Sequence, residues 1–152
     1  MTEEQVTKAV MEWLDRNGWE ILDYDFPGGG TGRRFRFADA ASRQDKNTGA
    51  FCPDVVAWRD GLFLLFENKA VDTLSDYGKQ AKVKQDPTLP EQLKTAYPEK
   101  SFRGIWVALA FAVPFLHGDT ADKIGIDAVL TVSSDNSVSL AFASAAFSGG
   151  TT

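Results

Sequence analysis

Asp54, Glu67 and Lys69 are the residues of this 152-residue chain whose types and spacing could do chemistry together. They bracket a segment that reads as a β-hairpin: Asp54-Val-Val-Ala-Trp58, then Arg59-Asp60-Gly61, then Leu62-Phe-Leu-Leu-Phe66, with Asp-Gly as the turn pair. If Asp60 and Gly61 form a two-residue turn, Arg59 opposes Leu62 and, counting back along both strands, Asp54 opposes Glu67. Opposed residues of an antiparallel pair point to one side with Cβ atoms roughly 4.5 to 5.5 Å apart, and Lys69 shares that side by strand alternation. Two carboxylates and one ammonium are thus expected to converge. Like charges directly opposed destabilise a sheet, the more so where water is scarce. A divalent cation relieves them, because Mg²⁺ takes hard oxygen ligands, usually one or two carboxylates plus water and substrate phosphate. The plainer arrangement is a salt bridge at a solvated strand end, with Lys69 neutralising one carboxylate; a β-bulge would also shift the pairing. The residues alone leave both arrangements open.

The elements that must position this group follow from periodicity. Thr2 and Gln5 fit a capping box, and Val6, Val10, Trp13 and Leu14 recur at helical spacing until Gly18, so residues 3–17 are expected to form an amphipathic helix. Trp19 to Phe26 alternates as a strand running into a loop from Pro27 to Gly32. Residues 33–50 read as a surface excursion with a short strand around Arg34 to Phe37. Both hairpin strands are apolar on both faces, as in the centre of a covered sheet. Residues 75–97, interrupted by Pro87 and Pro90, read as one or two helices. Arg103 to Val113 reads as a buried strand, Asp127 to Val132 and Val138 to Phe142 as two edge strands, and Ser148 to Thr152 as a loose tail. Residues 1–147 are therefore expected to make a single α/β domain around a mixed sheet flanked by helices.

Composition bounds the classes. Hydrophobic residues make up 43% and charged residues 24%, ordinary values for a folded globule. The longest apolar run, Ile105 to Leu116, includes Pro114 and falls well short of the roughly 20 residues a membrane helix needs. The polar start, Thr2-Glu-Glu-Gln5, lacks the chemistry of a signal peptide, so a cytoplasmic protein is expected. Cys52 is the single cysteine, which excludes thiolate-rich zinc sites and leaves oxygen ligands for any metal. The net charge of −5 argues against a basic nucleic-acid footprint. Its distribution softens this, because residues 33–103 hold 13 of the 16 Lys and Arg against 10 of the 21 acidic residues.

Pro53-Asp54, twelve residues, then Glu67-Asn68-Lys69 resembles the signature of the PD-(D/E)xK, or restriction-endonuclease-like, nuclease superfamily. The order of elements over residues 1 to about 113 resembles that family's αβββαβ core as well. The resemblance implies that Asp54 and Glu67 hold Mg²⁺, with Mn²⁺ as a substitute and the backbone carbonyl of Asn68 as a further ligand. It implies that Lys69 orients or helps deprotonate the attacking water, and that a Glu from the first helix joins the site. Glu3 falls beside Val6 and Val10 on the helical wheel and is preferred to Glu4, although the helix dipole favours carboxylates in a first turn anyway. The reaction implied is DNA phosphodiester hydrolysis leaving a 5′-phosphate, with a homodimer needed to cut both strands. RNA as substrate stays open, as does a degenerate module that binds nucleic acid or a partner protein without cutting.

Other features carry less. The glycine-rich stretch Asp25 to Arg34 lacks the Lys-Ser/Thr ending of a P-loop. In a nuclease, Arg33, Arg34, Arg36, Arg43 and Lys46 could contact phosphates, where a flexible loop accounts for them equally; Lys79, Lys82 and Lys84 could do the same, though a solvated helix face is the better account of those three. His117 reads as structural, as do Trp13, Trp19, Trp58 and Trp106 on apolar periods.

Overall fold

The computed structural model describes residues 1–27, 32–38 and 49–150. The first helix, α1 (Glu3–Arg16), is closed at its start by the expected reciprocal cap: the Gln5 amide donates to Thr2 Oγ1 at 3.1 Å and the Thr2 amide to Gln5 Oε1 at 2.8 Å. Gly18, at φ +81°, turns the chain out of it. There follow β1 (Glu20–Tyr24), the two-residue strands β2 (Phe35–Arg36) and β3 (Ala50–Phe51), and the hairpin β4 (Val55–Arg59) and β5 (Leu62–Asn68). Helices α2 (Leu74–Gln85) and α3 (Leu89–Ala96) lead to β6 (Gly104–Ala112). The chain ends with α4 (Gly118–Ile124), β7 (Ala128–Val132), β8 (Val138–Ala143) and α5 (Ala145–Gly150).

Six strands form one mixed sheet in the order β1-β4-β5-β6-β7-β8, with β5-β6 and β6-β7 parallel and the other pairs antiparallel. The expected α/β sheet flanked by helices is therefore the observed one. Alternation along the strands sends Leu64 and Phe66 of β5, with Val55 and Ala57 of β4, onto α1 and the Phe147 side chain of α5. Phe63 and Leu65, with Val56, face the opposite layer of Tyr77, Val83, Leu89 and Leu93 on α2 and α3. Both faces of the hairpin are buried, as its apolar composition requires.

The Asp60-Gly61 turn has positive φ at both residues, +50° and +88°. Glycine is needed at the second for another reason: a Cβ there would lie 2.8 Å from Arg103 Cγ. The register then runs as counted, from Arg59 opposite Leu62 to Val55 opposite Phe66.

Several expectations need correction. The strand β7 is interior and fully buried, paired on both sides, so β8 alone forms that edge. Pro90 opens α3 in its first turn instead of breaking a helix, where its missing N–H costs nothing. Helix α4 was not expected, and residues 148–150 close α5 where a loose tail was read. Lys84 does not flank a groove: its ammonium lies 2.7 Å from both oxygens of buried Asp127, tying α2 to the start of β7. The glycine-rich loop from 28 to 31, Arg43 and Lys46, and residues 151–152 lie outside the described residues. No described helix is long and apolar enough to cross a membrane.

Candidate active site

The hairpin ends opposite its turn at Asp54 and at Glu67-Asn68-Lys69. Alternation puts Glu67 and Lys69 on the α2 face with Phe63 and Leu65, and Asp54 there with Val56, whereas Asn68 continues the α1 face. The last rung departs from the counted register. The Asp54 amide donates to the Phe66 carbonyl at 2.9 Å, and its side chain turns to accept the Asn68 amide on Oδ2 at 2.6 Å. That bond fixes one oxygen of the carboxylate against the backbone of the strand that carries Glu67.

Lys69 Nζ lies 3.3 Å from Glu67 Oε1 and 3.9 Å from Glu3 Oε1. Glu3 reaches it from the first turn of α1, so Asp54, Glu67, Lys69 and Glu3 come together from two elements. The tie between those elements is buried. Asn68 Nδ2 donates to Thr7 Oγ1 at 3.1 Å, and Thr7 Oγ1 donates to the Glu3 carbonyl at 3.0 Å. The Asn68 side chain thus ties β5 to α1, and its Oδ1 has no partner among the described residues.

The charges do not balance inside the group. Burial pushes the Asp54 carboxyl up to about 7, and the Glu67 charge adds to it against the Asn68 N–H and Lys69, which pull it down. Burial also raises Glu67, against the opposing pull of Lys69. Lys69 is held above the usual lysine value: burial pulls it down, but Glu67, Glu3 and Asp76 together more than offset that. Asp76, in the first turn of α2, is buried on the same face, raised chiefly by that burial and acting on both Glu67 and Lys69.

Such a site has room for more positive charge than Lys69 supplies. Among the described residues no three His, Cys, Asp or Glu side chains are grouped so as to enclose a cation. A cation here would be held by Asp54 and Glu67, with water and a substrate oxygen filling its shell, the pattern that suits Mg²⁺. The donors are all oxygen, and burial is the main cause of their raised pKa values.

A cleft of about 480 Å³ opens beside Glu67, walled by Phe37, Phe51 and Pro53 and rimmed by Lys79 and Lys82. Of the residues expected to contact phosphates, Lys79 and Lys82 border this cleft. Arg33 and Arg34 line a different one, about 430 Å³, between β2 and α3. Arg33 there stands over the Tyr97 ring at 5.2 Å, with its Nε 3.5 Å from Asp23 Oδ2. Arg36 is exposed, with its backbone clamped by Gln92. Cys52 lines the first cleft, but burial pushes its thiol up to about 11 and keeps it un-ionised at neutral pH. His117 Nε2 lies 3.9 Å from Asp72 Oδ1, with its ring edge-on to Tyr77, away from the carboxylates.

Asp76, Thr7 and Gln80 were not singled out in the sequence. Gln80 is buried and donates to the carbonyls of Leu65 and Ala108, pinning α2 across the two central strands. A polar residue on an apolar helical stripe was a usable signal for Thr7, four residues after Glu3 and three before Val10. An acidic residue at a helix start is too common to mark Asp76. No family model matches the sequence, and no curated protein does.

Proposed function

We propose that this chain is a metal-dependent nuclease of the PD-(D/E)xK type that hydrolyses phosphodiester bonds of DNA in the cytoplasm, with Asp54 and Glu67 as the Mg²⁺ ligands. The observation that carries this reading is the meeting of Asp54, Glu67 and Lys69 at one end of a buried central hairpin, beside a cleft with lysines on its rim. A mixed six-stranded sheet flanked by helices, with the β4-β5 hairpin in its interior, supports the reading at the level of fold class.

Mg²⁺, or Mn²⁺ in its stead, supplies polarisation of the scissile phosphate and a water acidic enough to attack near neutral pH. The protein's own residues do the rest. Asp54, oriented by the Asn68 amide, presents its second oxygen, and the Asn68 carbonyl is a further ligand in this reading. Lys69, kept protonated by Glu67 and Glu3, donates hydrogen bonds to the attacking water or to a phosphate oxygen as negative charge grows there. Glu3 holds the ammonium toward the site from the α1 side. Hydrolysis would leave a 5′-phosphate, and a single domain of this size reaches one strand, so cutting a duplex through calls for a homodimer.

Supercoiled plasmid, single-stranded DNA and RNA incubated with Mg²⁺ or Mn²⁺ test the reading, beside an Asp54→Ala variant and an EDTA control. Cleavage lost in both controls supports it and selects the substrate. If every substrate stays intact, a non-cutting module that binds nucleic acid or a partner protein replaces it.

A further inference from the structure

We propose that the cleft beside Glu67 is a subsite for one unpaired nucleobase, so that the chain takes single-stranded nucleic acid. Its use in cutting rests on the nuclease reading; the binding does not.

The ribbon of β2 and β3 forms the outer wall. It stands as a separate two-stranded sheet immediately before Pro53-Asp54, and it is held firmly. Gln92 of α3 grips it by donating to the Arg36 carbonyl at 2.6 Å and accepting the Arg36 amide at 2.9 Å. Asp86 accepts the Ala38 amide at 2.7 Å. The ribbon's three phenylalanines divide their work. Phe35 is fully buried and stacks on Phe51, which anchors the ribbon to the body. Phe37 and Phe51 pack ring against ring at 4.7 Å, yet both stay half-buried and line the cleft.

One face of the Phe37 ring is in use: the Lys82 ammonium sits 4.2 Å from its centroid. The ring is half-buried and lines the cleft, and a ring that attracts a cation also suits a flat, polarisable group that takes the ammonium's place. The same ammonium is a phosphate donor. A nucleotide entering the cleft would put its base on Phe37 and give Lys82, with Lys79, its phosphate as a new partner. Glu67, which lines the same cleft, then brings the phosphodiester bond next to the carboxylates.

Size and pairing decide the substrate class. A cleft of about 480 Å³ falls in the range, roughly 300 to 1,000 Å³, of pockets that hold one small ligand. Bases inside a duplex keep their faces against their neighbours and reach such a pocket only when taken out of the stack.

Fluorescence anisotropy without divalent metal tests this, using labelled oligothymidylate, an abasic strand of equal length and charge, and the wild type beside Phe37→Ala and Phe37→Leu. The leucine variant keeps apolar packing on Phe51 and loses only the π face. The expected result is that the wild type prefers the oligothymidylate by roughly tenfold or more over the abasic strand, and that both variants bring the two within about threefold while leaving abasic binding unchanged. Equal affinity of the wild type for both strands, no binding of either, or a preference that survives Phe37→Leu would overturn the subsite. The two readings fail separately. A Phe37-dependent base preference without hydrolysis of any substrate removes the nuclease and keeps the subsite; hydrolysis without a base preference does the reverse.

Discussion

Asp54 is a carboxylate held where its charge is costly, and that has a sign that can be worked through. Its folded-state pKa of about 7 lies above the ordinary carboxylate value near 4. The folded protein therefore binds an extra proton between those limits, and the stability this represents is present at low pH and lost as pH rises through about 7. Raised Glu67 and Asp76 act in the same direction. In metal-free buffer the Tm is expected to fall between about pH 4 and pH 7, with Asp54→Asn flattening much of the decline. Millimolar Mg²⁺ should raise Tm more at the alkaline end, because protons and cation compete for the same oxygens. Thermal melts of both proteins across that range, with and without Mg²⁺, measure this; a Mg²⁺ effect that is equal at both ends would show that the cation binds elsewhere. At this scale the sequence was informative for a definite reason. Strand alternation and a two-residue turn are rigid counting rules, so Asp54, Glu67 and Lys69 could be brought together on paper. The deviation at Asp54, whose amide pairs with Phe66 and whose side chain takes the Asn68 N–H, depends on local relaxation that no count contains.

Between α1 and β5 the contact is mostly apolar, and the Thr7 hydroxyl is its polar joint. It donates to the Glu3 carbonyl and accepts from Asn68, whose other side-chain atom already lacks a protein partner. Thr7→Val keeps the shape and removes the joint, leaving a buried amide unpaired. A loss of about 1 to 3 kcal/mol in chemical denaturation is expected. Glu3 sits in the same turn, so the proposed nuclease activity should fall beyond what the stability change accounts for, and Thr7→Ser should recover most of both. A variant as stable and as active as the wild type would show that the joint carries nothing. Element by element, the long periodic segments were legible: α1, the hairpin and β6 lie within a residue or two of where the pattern put them. The short ones were not. Helix α4 has seven residues, too few to display a 3.6-residue period, and its Gly118 start lacks a side-chain cap. Strand β7 was taken for an edge because its partners, β6 and β8, come from pairings across the sheet that local sequence does not state.

For the molecule as a whole, net charge and local charge point in opposite directions. The chain carries −5, yet the cleft presents Lys79 and Lys82 near Lys69, while Arg33 and Arg34 gather at a second cleft behind α3. Binding of a single strand should therefore depend only gently on salt. If the three lysines each neutralise a phosphate, log K should fall against log salt concentration with a slope of about −2, from roughly −0.7 per contact. Lys82→Ala should make the slope shallower by about 0.7. Anisotropy titrations over a series of salt concentrations give both numbers. A steep slope that Lys82→Ala does not change would move the interface toward the arginines. The concentration of basic residues in the middle of the chain was visible in the sequence; their division between two clefts was not, because it depends on how the β2-β3 ribbon folds over α2 and α3.

Glu3 touching Lys69 also bears on how the protein is handled. Glu3, in the first turn of α1, lies 3.9 Å from Lys69, so whatever precedes Met1 joins the molecule two residues from that contact, close to where the proposed substrate phosphate would approach. A peptide joined there shares that space with the substrate: an acidic one would compete for the ammonium of Lys69, and a histidine-rich one would compete for the cation. Position 1 lies two residues from Glu3, the partner of Lys69, so an affinity tag fused ahead of it adds its own charges beside that pair.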